Sequence, residues 1–264
     1  MLIRSFQPGL FSVFAFLVFI HNINGQTLTG KTVTIDTNCN GFYEYLPSEY
    51  DKGNKKYPLL IFLHGMGELG NGSSDLSKIL RNGPLKLIKD SIFPDGFHAG
   101  DSLFQFIIFA PQFIHWPWPG TVNTIMEYVL SHYHVDERRI YLTGLSMGGG
   151  VAWEYAGSNN KSAEKLAALV PICGASLANN EKVSRIVATK LPVWAIHNEG
   201  DPVVTVEYTK KYISLINELG GTIRQDIKET IFPVAGHNAW TKSYDPEFRE
   251  NGMNIYEWML SHHR

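Results

Sequence analysis

Only two cysteines, Cys39 and Cys173, occur in the 264 residues, which excludes a disulfide framework and leaves stability to the core. Cys39 lies in an early polar turn and Cys173 closes an apolar run. A single bridge is one arrangement; two unpaired thiols, at least one of them buried, is the expected one. No cluster of Lys or Arg appears and the formal net charge is -2, so neither nucleic acid nor an anionic membrane surface is an expected partner. No linker rich in Pro, Gly and Ser, no internal repeat and no low-complexity tract divides the chain. One domain over residues 26–264 is expected. No apolar run reaches the roughly 20 residues that span a bilayer. The stretch from Leu10 to Ile20 instead follows Arg4 and ends in polar residues and Gly25, the pattern of a secretory signal peptide over residues 1–25. The mature chain is thus expected in the periplasm or outside the cell, with no stable membrane anchor.

What the chain does hold, at 44% hydrophobic residues, is a series of short apolar runs. "GKTVTIDTN" and "GFYEYLP" read as two early strands joined by a tight Asn/Gly turn around Cys39 to Gly41, forming an antiparallel edge. From Pro58 the runs become continuous: "PLLIFLHG", "FQFIIFAP", "RIYLTGLS", "AALVPICG" and "LPVWAIHN". Continuous runs suit strands covered on both faces, as in a parallel sheet between helix layers. Segments of helical spacing alternate with them, among them Val122, Ile125, Met126, Val129 and Tyr133, then Tyr212, Ile213, Leu215, Ile216 and Leu219, and a terminal "MNIYEWMLSHH". The fold class is therefore α/β, a mostly parallel, doubly wound sheet.

In such sheets ligands bind beyond the carboxyl ends of the strands, so the residue that stops each run carries information. The stops are His64, Gln112, Ser146, then Asp201 shortly after His197, and His237 in "GHNAW". "GLSMG", Gly144 to Gly148, matches G-x-S-x-G between a strand and a helix-compatible "MGGGVAWEYA". That is the context of a nucleophile elbow, a turn so sharp that side chains two positions away would collide with neighbouring strands. Ser146 is the expected nucleophile. A serine hydroxyl needs a base, and the base an acid to fix its tautomer. Asp201 is the expected acid, preferred over Glu199 because Pro202 stiffens its turn, and His237 follows it as the base. His197 precedes the acid and is expected in the site wall. The amides of Met147 and of Met66, in "LHGMGELG", are the expected oxyanion donors, with Glu68 bracing the glycine-rich turn.

These motifs, with "IIFAPQ" and "HNEGDPVV", make the chain from about Tyr57 onward similar to the α/β-hydrolase superfamily, in its secreted bacterial carboxylesterase group. That group holds feruloyl-esterase-like, polyhydroxybutyrate-depolymerase-like and "predicted peptidase" members. The resemblance implies a serine carboxylesterase with Ser146, Asp201 and His237 as its triad, needing no cofactor and no metal. It also implies a small-molecule or polysaccharide ester as the partner, and leaves a prolyl-oligopeptidase-like serine peptidase and a polyester depolymerase as rivals. A carbohydrate-binding protein on an inactive scaffold is the rival outside enzymes. No insertion is long enough for a cap domain, although Glu68 to Leu103 has the length of a partial lid. Gln112 at a strand end, Trp116 and Trp118 in "FIHWPWPG", and Trp240 three residues after the base are the expected substrate contacts, the indoles by stacking.

Overall fold

The computed structural model describes residues 21–23, 26–50, 52–221 and 225–264. Of the expected signal peptide only His21–Ile23 falls within them; the rest lies outside the described residues. The strands are β1 (His21–Ile23), β2 (Gln26–Lys31), β3 (Gly41–Leu46), β4 (Tyr57–Leu63), β5 (Phe97–Ala99), β6 (Ser102–Phe104), β7 (Ile107–Gln112), β8 (Val135–Leu145), β9 (Ala168–Ile172), β10 (Val193–Gly200) and β11 (Ile227–Ala235). The helices are α1 (Gly83–Lys89), α2 (Pro119–His132), α3 (Met147–Ser158), α4 (Asn160–Glu164), α5 (Asn180–Ala188), α6 (Glu207–Gly220), α7 (Trp240–Tyr244) and α8 (Ile255–Leu260).

Nine strands form one sheet in the order β1-β2-β3-β7-β4-β8-β9-β10-β11. From β7 to β11 every pairing is parallel, while β1, β2 and β3 add an antiparallel edge. The continuous apolar runs are explained by burial on both faces: all of Tyr57–Leu63 and all of Ile107–Gln112 are buried. Along β4, Leu59, Ile61 and Leu63 enter one core with Val122, Val151, Val183 and Tyr212 from α2, α3, α5 and α6. Leu60 and Phe62 enter the other, with Leu85, Tyr244 and Trp258 from α1, α7 and α8. Successive side chains point to opposite faces of a strand, so one run feeds both layers.

Three expectations change. The first edge strand does not continue to residue 38: β2 stops at Lys31, and residues 32–40 form a loop closed by the Asp36–Cys39 bridge, because β3 pairs with Thr27–Lys31. The segment from Glu68 to Leu103 is not a lid. Leu76, Ile79, Leu85, Ile88 and Phe97 bury themselves in the second core, so the excursion is a helical cover of the sheet. Its end folds into the separate β5–β6 hairpin. The terminal helix is short, Ile255–Leu260, and Asn254 starts it with a capping box to Glu257. Cys39 and Cys173 are both buried and free, as the sequence favoured.

Candidate active site

Strand β8 delivers its chain to Ser146, where the backbone turns at φ +52° and ψ -115° before α3 begins at Met147. A left-handed conformation is costly for a serine. The surroundings hold it there: Ser146 N–H donates to the Ile172 carbonyl at 2.9 Å, and its own carbonyl accepts from Gly150 and Ala175. Glycine is required at the flanking positions by contact. A Cβ on Gly148 would lie 2.0 Å from the Leu63 carbonyl oxygen, and one on Gly144 2.5 Å from the backbone of Gly148.

Loops after three different strands bring the expected residues together. His237, beyond β11, places Nε2 2.8 Å from Ser146 Oγ. Its Nδ1 lies 2.6 Å from Oδ2 of Asp201, beyond β10. Asp201 Oδ1 accepts from the N–H groups of Val203 and Val204 at 2.8 and 3.0 Å. Burial alone would raise the Asp201 carboxyl; the bonds from His237, Val204 and Val203 outweigh it and hold it below the ordinary carboxylate range. Such a line can remove a proton from Ser146 Oγ while keeping the resulting imidazolium beside a fixed negative charge.

The two expected oxyanion amides are unspent: neither the Met66 nor the Met147 N–H has a backbone acceptor among the described residues. Met147 is the first residue of α3, where the helix leaves its N–H groups free and its dipole favours negative charge. Met66 opens a 3-10 turn, Met66–Glu68. Glu68 is buried and accepts from Asn82 Nδ2, whose Oδ1 in turn accepts from Trp240 Nε1 at 3.0 Å. Burial raises the Glu68 carboxyl against its bonds to Asn82 and the Gly65 N–H. The loop after β4 is therefore braced from below and tied to the loop that carries His237.

Gln112 is closed to a substrate. Its side chain is fully buried, with Oε1 accepting from the Gly72 N–H at 2.9 Å and Nε2 donating to the carbonyls of Glu68 and Asp75, each at 3.0 Å. It pins the loop after β4. Trp240 is half-buried, with Nε1 donating to Asn82 and its ring edge-on to the His237 ring at 5.0 Å. Trp116 and Trp118 remain exposed and line a cavity of about 510 Å³ with Glu154, Ser176, Leu177, Lys182 and Tyr208. Ala175, whose N–H meets the Ser146 carbonyl, is part of the same wall. The last five side chains escaped the sequence reading because they come from helices and a loop with no motif. The Glu154–Lys182 ion pair across α3 and α5 gives the cavity a polar floor, and Ser176 Oγ also donates to Glu154.

No protein-family model matches the chain. It is 26% identical over 161 residues to a bifunctional acetylxylan esterase/xylanase of Neocallimastix patriciarum, a match covering 59% of this chain and 21% of that protein. The identity to the probable feruloyl esterase C of Aspergillus niger is 25% over 238 residues, covering 85% and 72%. Among solved structures, a thermostable esterase superposes with a TM-score of 0.65 at 24% identity, covering 92% of this chain and 64% of that one. The chain thus spans about a fifth of the first of these relatives. At such identity the structural likeness shows a shared fold.

Proposed function

We propose that this chain, a member of the α/β-hydrolase superfamily, is a secreted serine esterase acting through an acyl-enzyme on Ser146. The observation that carries the reading is a serine on a left-handed corner with an imidazole nitrogen 2.8 Å from its hydroxyl. His237 Nε2 takes the Ser146 proton as Oγ attacks the ester carbonyl carbon. The carbonyl oxygen gains the charge and is met by the N–H groups of Met147 and Met66. On collapse the C–O bond to the alcohol breaks, and His237 returns the proton to the leaving oxygen. Water, activated by the same imidazole, then releases the acid and restores Ser146. Asp201 stays ionised throughout and stabilises the imidazolium.

Esters of plant polysaccharide, feruloyl or acetyl, are the substrate class we favour. The cavity whose wall includes Ala175, bonded through its N–H to the Ser146 carbonyl, supports it: two exposed indoles offer flat faces to an aromatic acyl group or a sugar ring, and the ion-paired floor offers partners to its hydroxyls. The relatives named above, an acetylxylan esterase/xylanase and a probable feruloyl esterase, act on esters of the same class. Hydrolysis of methyl ferulate, acetyl-xylan and p-nitrophenyl acetate, with a peptide p-nitroanilide as control, tests the reading. Ser146→Ala should lose on the order of a millionfold in turnover and all labelling by a fluorophosphonate. A Ser146→Ala protein that keeps half its activity would end the serine mechanism.

A further inference from the structure

Behind the proposed base stands a second imidazole that takes no part in the steps above. His197, near the end of β10, is fully buried. Its Nε2 lies 2.9 Å from the Val204 carbonyl oxygen, and its Nδ1 lies 2.8 Å from the Thr209 hydroxyl on α6. A carbonyl oxygen only accepts, so Nε2 carries the proton and the Thr209 hydroxyl donates to the bare Nδ1. The same Nε2 is 3.2 Å from Asp201 Oδ2, the oxygen that His237 reaches at 2.6 Å. One N–H is thus shared between Val204 and Asp201. Two imidazoles converge on one carboxylate oxygen while two main-chain amides hold the other.

We propose that His197 is a positioning residue for the reaction: its Nε2–H fixes Asp201 Oδ2 for His237 and withdraws part of that oxygen's charge. The inference rests on the acyl-enzyme reading given above. Its consequence follows from what the carboxylate does. Asp201 stabilises the imidazolium form of the base, and a further donor on the same oxygen weakens that stabilisation, so activity persists to lower pH than an Asp–His pair alone would permit. His197 can act this way because it stays neutral. Burial holds its imidazole below the ordinary range, against the opposing influence of the Val204 carbonyl and Asp201.

Among the described residues, few groups face this pair. The Cys173 sulfur lies with the ligating atoms of His197 and Asp201 within 4.8 Å, a spacing that would also suit a cation. The proton that Val204 requires on Nε2 occupies the lone pair a cation would need. Burial pushes the Cys173 thiol up to about 12, and it donates to the His237 carbonyl at 3.2 Å. Farther out, Lys210 on α6 bonds Glu199 and Glu207, and Glu229 on β11 lies in the same field.

The test compares His197→Leu with His197→Gln in the full chain, reading kcat/KM against pH on p-nitrophenyl acetate. Leucine removes the N–H. Glutamine keeps an amide N–H for Asp201 and Val204 and a carbonyl for the Thr209 hydroxyl. The acid limb should move up by about half a unit to one unit in His197→Leu and by under about 0.2 in His197→Gln. An unmoved limb in an active His197→Leu, or equal displacement in both variants, overturns the proposal; mere space-filling would cost stability without moving the limb. Side-chain ¹⁵N NMR of the unaltered protein decides the matter even if His197→Leu does not fold. The His197 Nε2 should hold its proton from about pH 5 to 9, and that proton's resonance should shift as His237 titrates. A resonance indifferent to that titration overturns the proposal. Retained activity in Ser146→Ala would remove the acyl-enzyme reading while leaving this NMR coupling intact, so the two failures are distinguishable.

Discussion

Individual residues here are held in states they would not choose in water. His64 ends β4 fully enclosed, with Nδ1 donating to the Gly65 carbonyl at 2.7 Å and Nε2 accepting from the Phe113 N–H at 3.0 Å. Burial lowers its imidazole from 6.5 to about 4. As pH falls through 6.5 the unfolded chain takes up this proton and the folded chain does not. Stability is therefore full above that pH and declines until about 4, where the folded form also protonates. The urea midpoint followed from pH 7.5 to 4 should fall accordingly, by a slope of at most about 1.4 kcal/mol per pH unit from this one group. In His64→Gln that part of the slope should vanish. The sequence marked His64 only as a strand stop. What it could not mark was the pair of backbone partners, since one of them lies 49 residues away.

At the scale of elements, the proposed mechanism makes the loop after β4 the one that would meet the charge on a carbonyl oxygen. It has no strand partners of its own at Met66. Its shape comes from Glu68 bound to Asn82, and from Gln112 bound across to Gly72, Glu68 and Asp75. Glu68→Ala should therefore lower kcat by roughly 10-fold to 100-fold with KM changed little, because a displaced Met66 amide is missed mainly in the transition state. Measuring kcat and KM separately on one p-nitrophenyl ester checks the split. The strands themselves were legible, since burial on both faces forces continuous apolar runs. The G-x-S-x-G corner was legible too, because Gly144 and Gly148 meet backbone where a Cβ would sit. Gln112 misled because polarity at a strand end looks the same whether the side chain faces a ligand or the neighbouring loop. The cavity's Glu154, Lys182 and Tyr208 carry no local signal, being single positions on α3, α5 and α6 brought together only by helix packing. Chain order places His197 in a wall, and only the distance to Asp201 gives it more to do.

Across the whole molecule, the parallel half of the sheet brings onto one rim two groups 91 positions apart in the chain, Ser146 and His237. Strand β8, inside the sheet between β4 and β9, carries Ser146, while the proposed base hangs from β11, the last strand of the order. That edge strand is half open to solvent along its length, and its exposed end, Pro233, Val234 and Ala235, leads through Gly236 to the base. Partners along one side only make such a strand the first to open on warming. Heat should thus extinguish ester hydrolysis several degrees below the cooperative transition seen by far-ultraviolet circular dichroism. Hydrogen exchange should place residues 227–237 among the least protected of the sheet. Coincident loss of activity and of secondary structure would show that the edge is as secure as the centre.

The outer margin of β11 also sets where the site tolerates change. A hydroxyl seated within the sheet and an imidazole hung at its rim lie on separate parts of the chain, joined only where they meet at 2.8 Å. A residue added or removed between β11 and α7 would therefore shift the imidazole while leaving the serine corner in place.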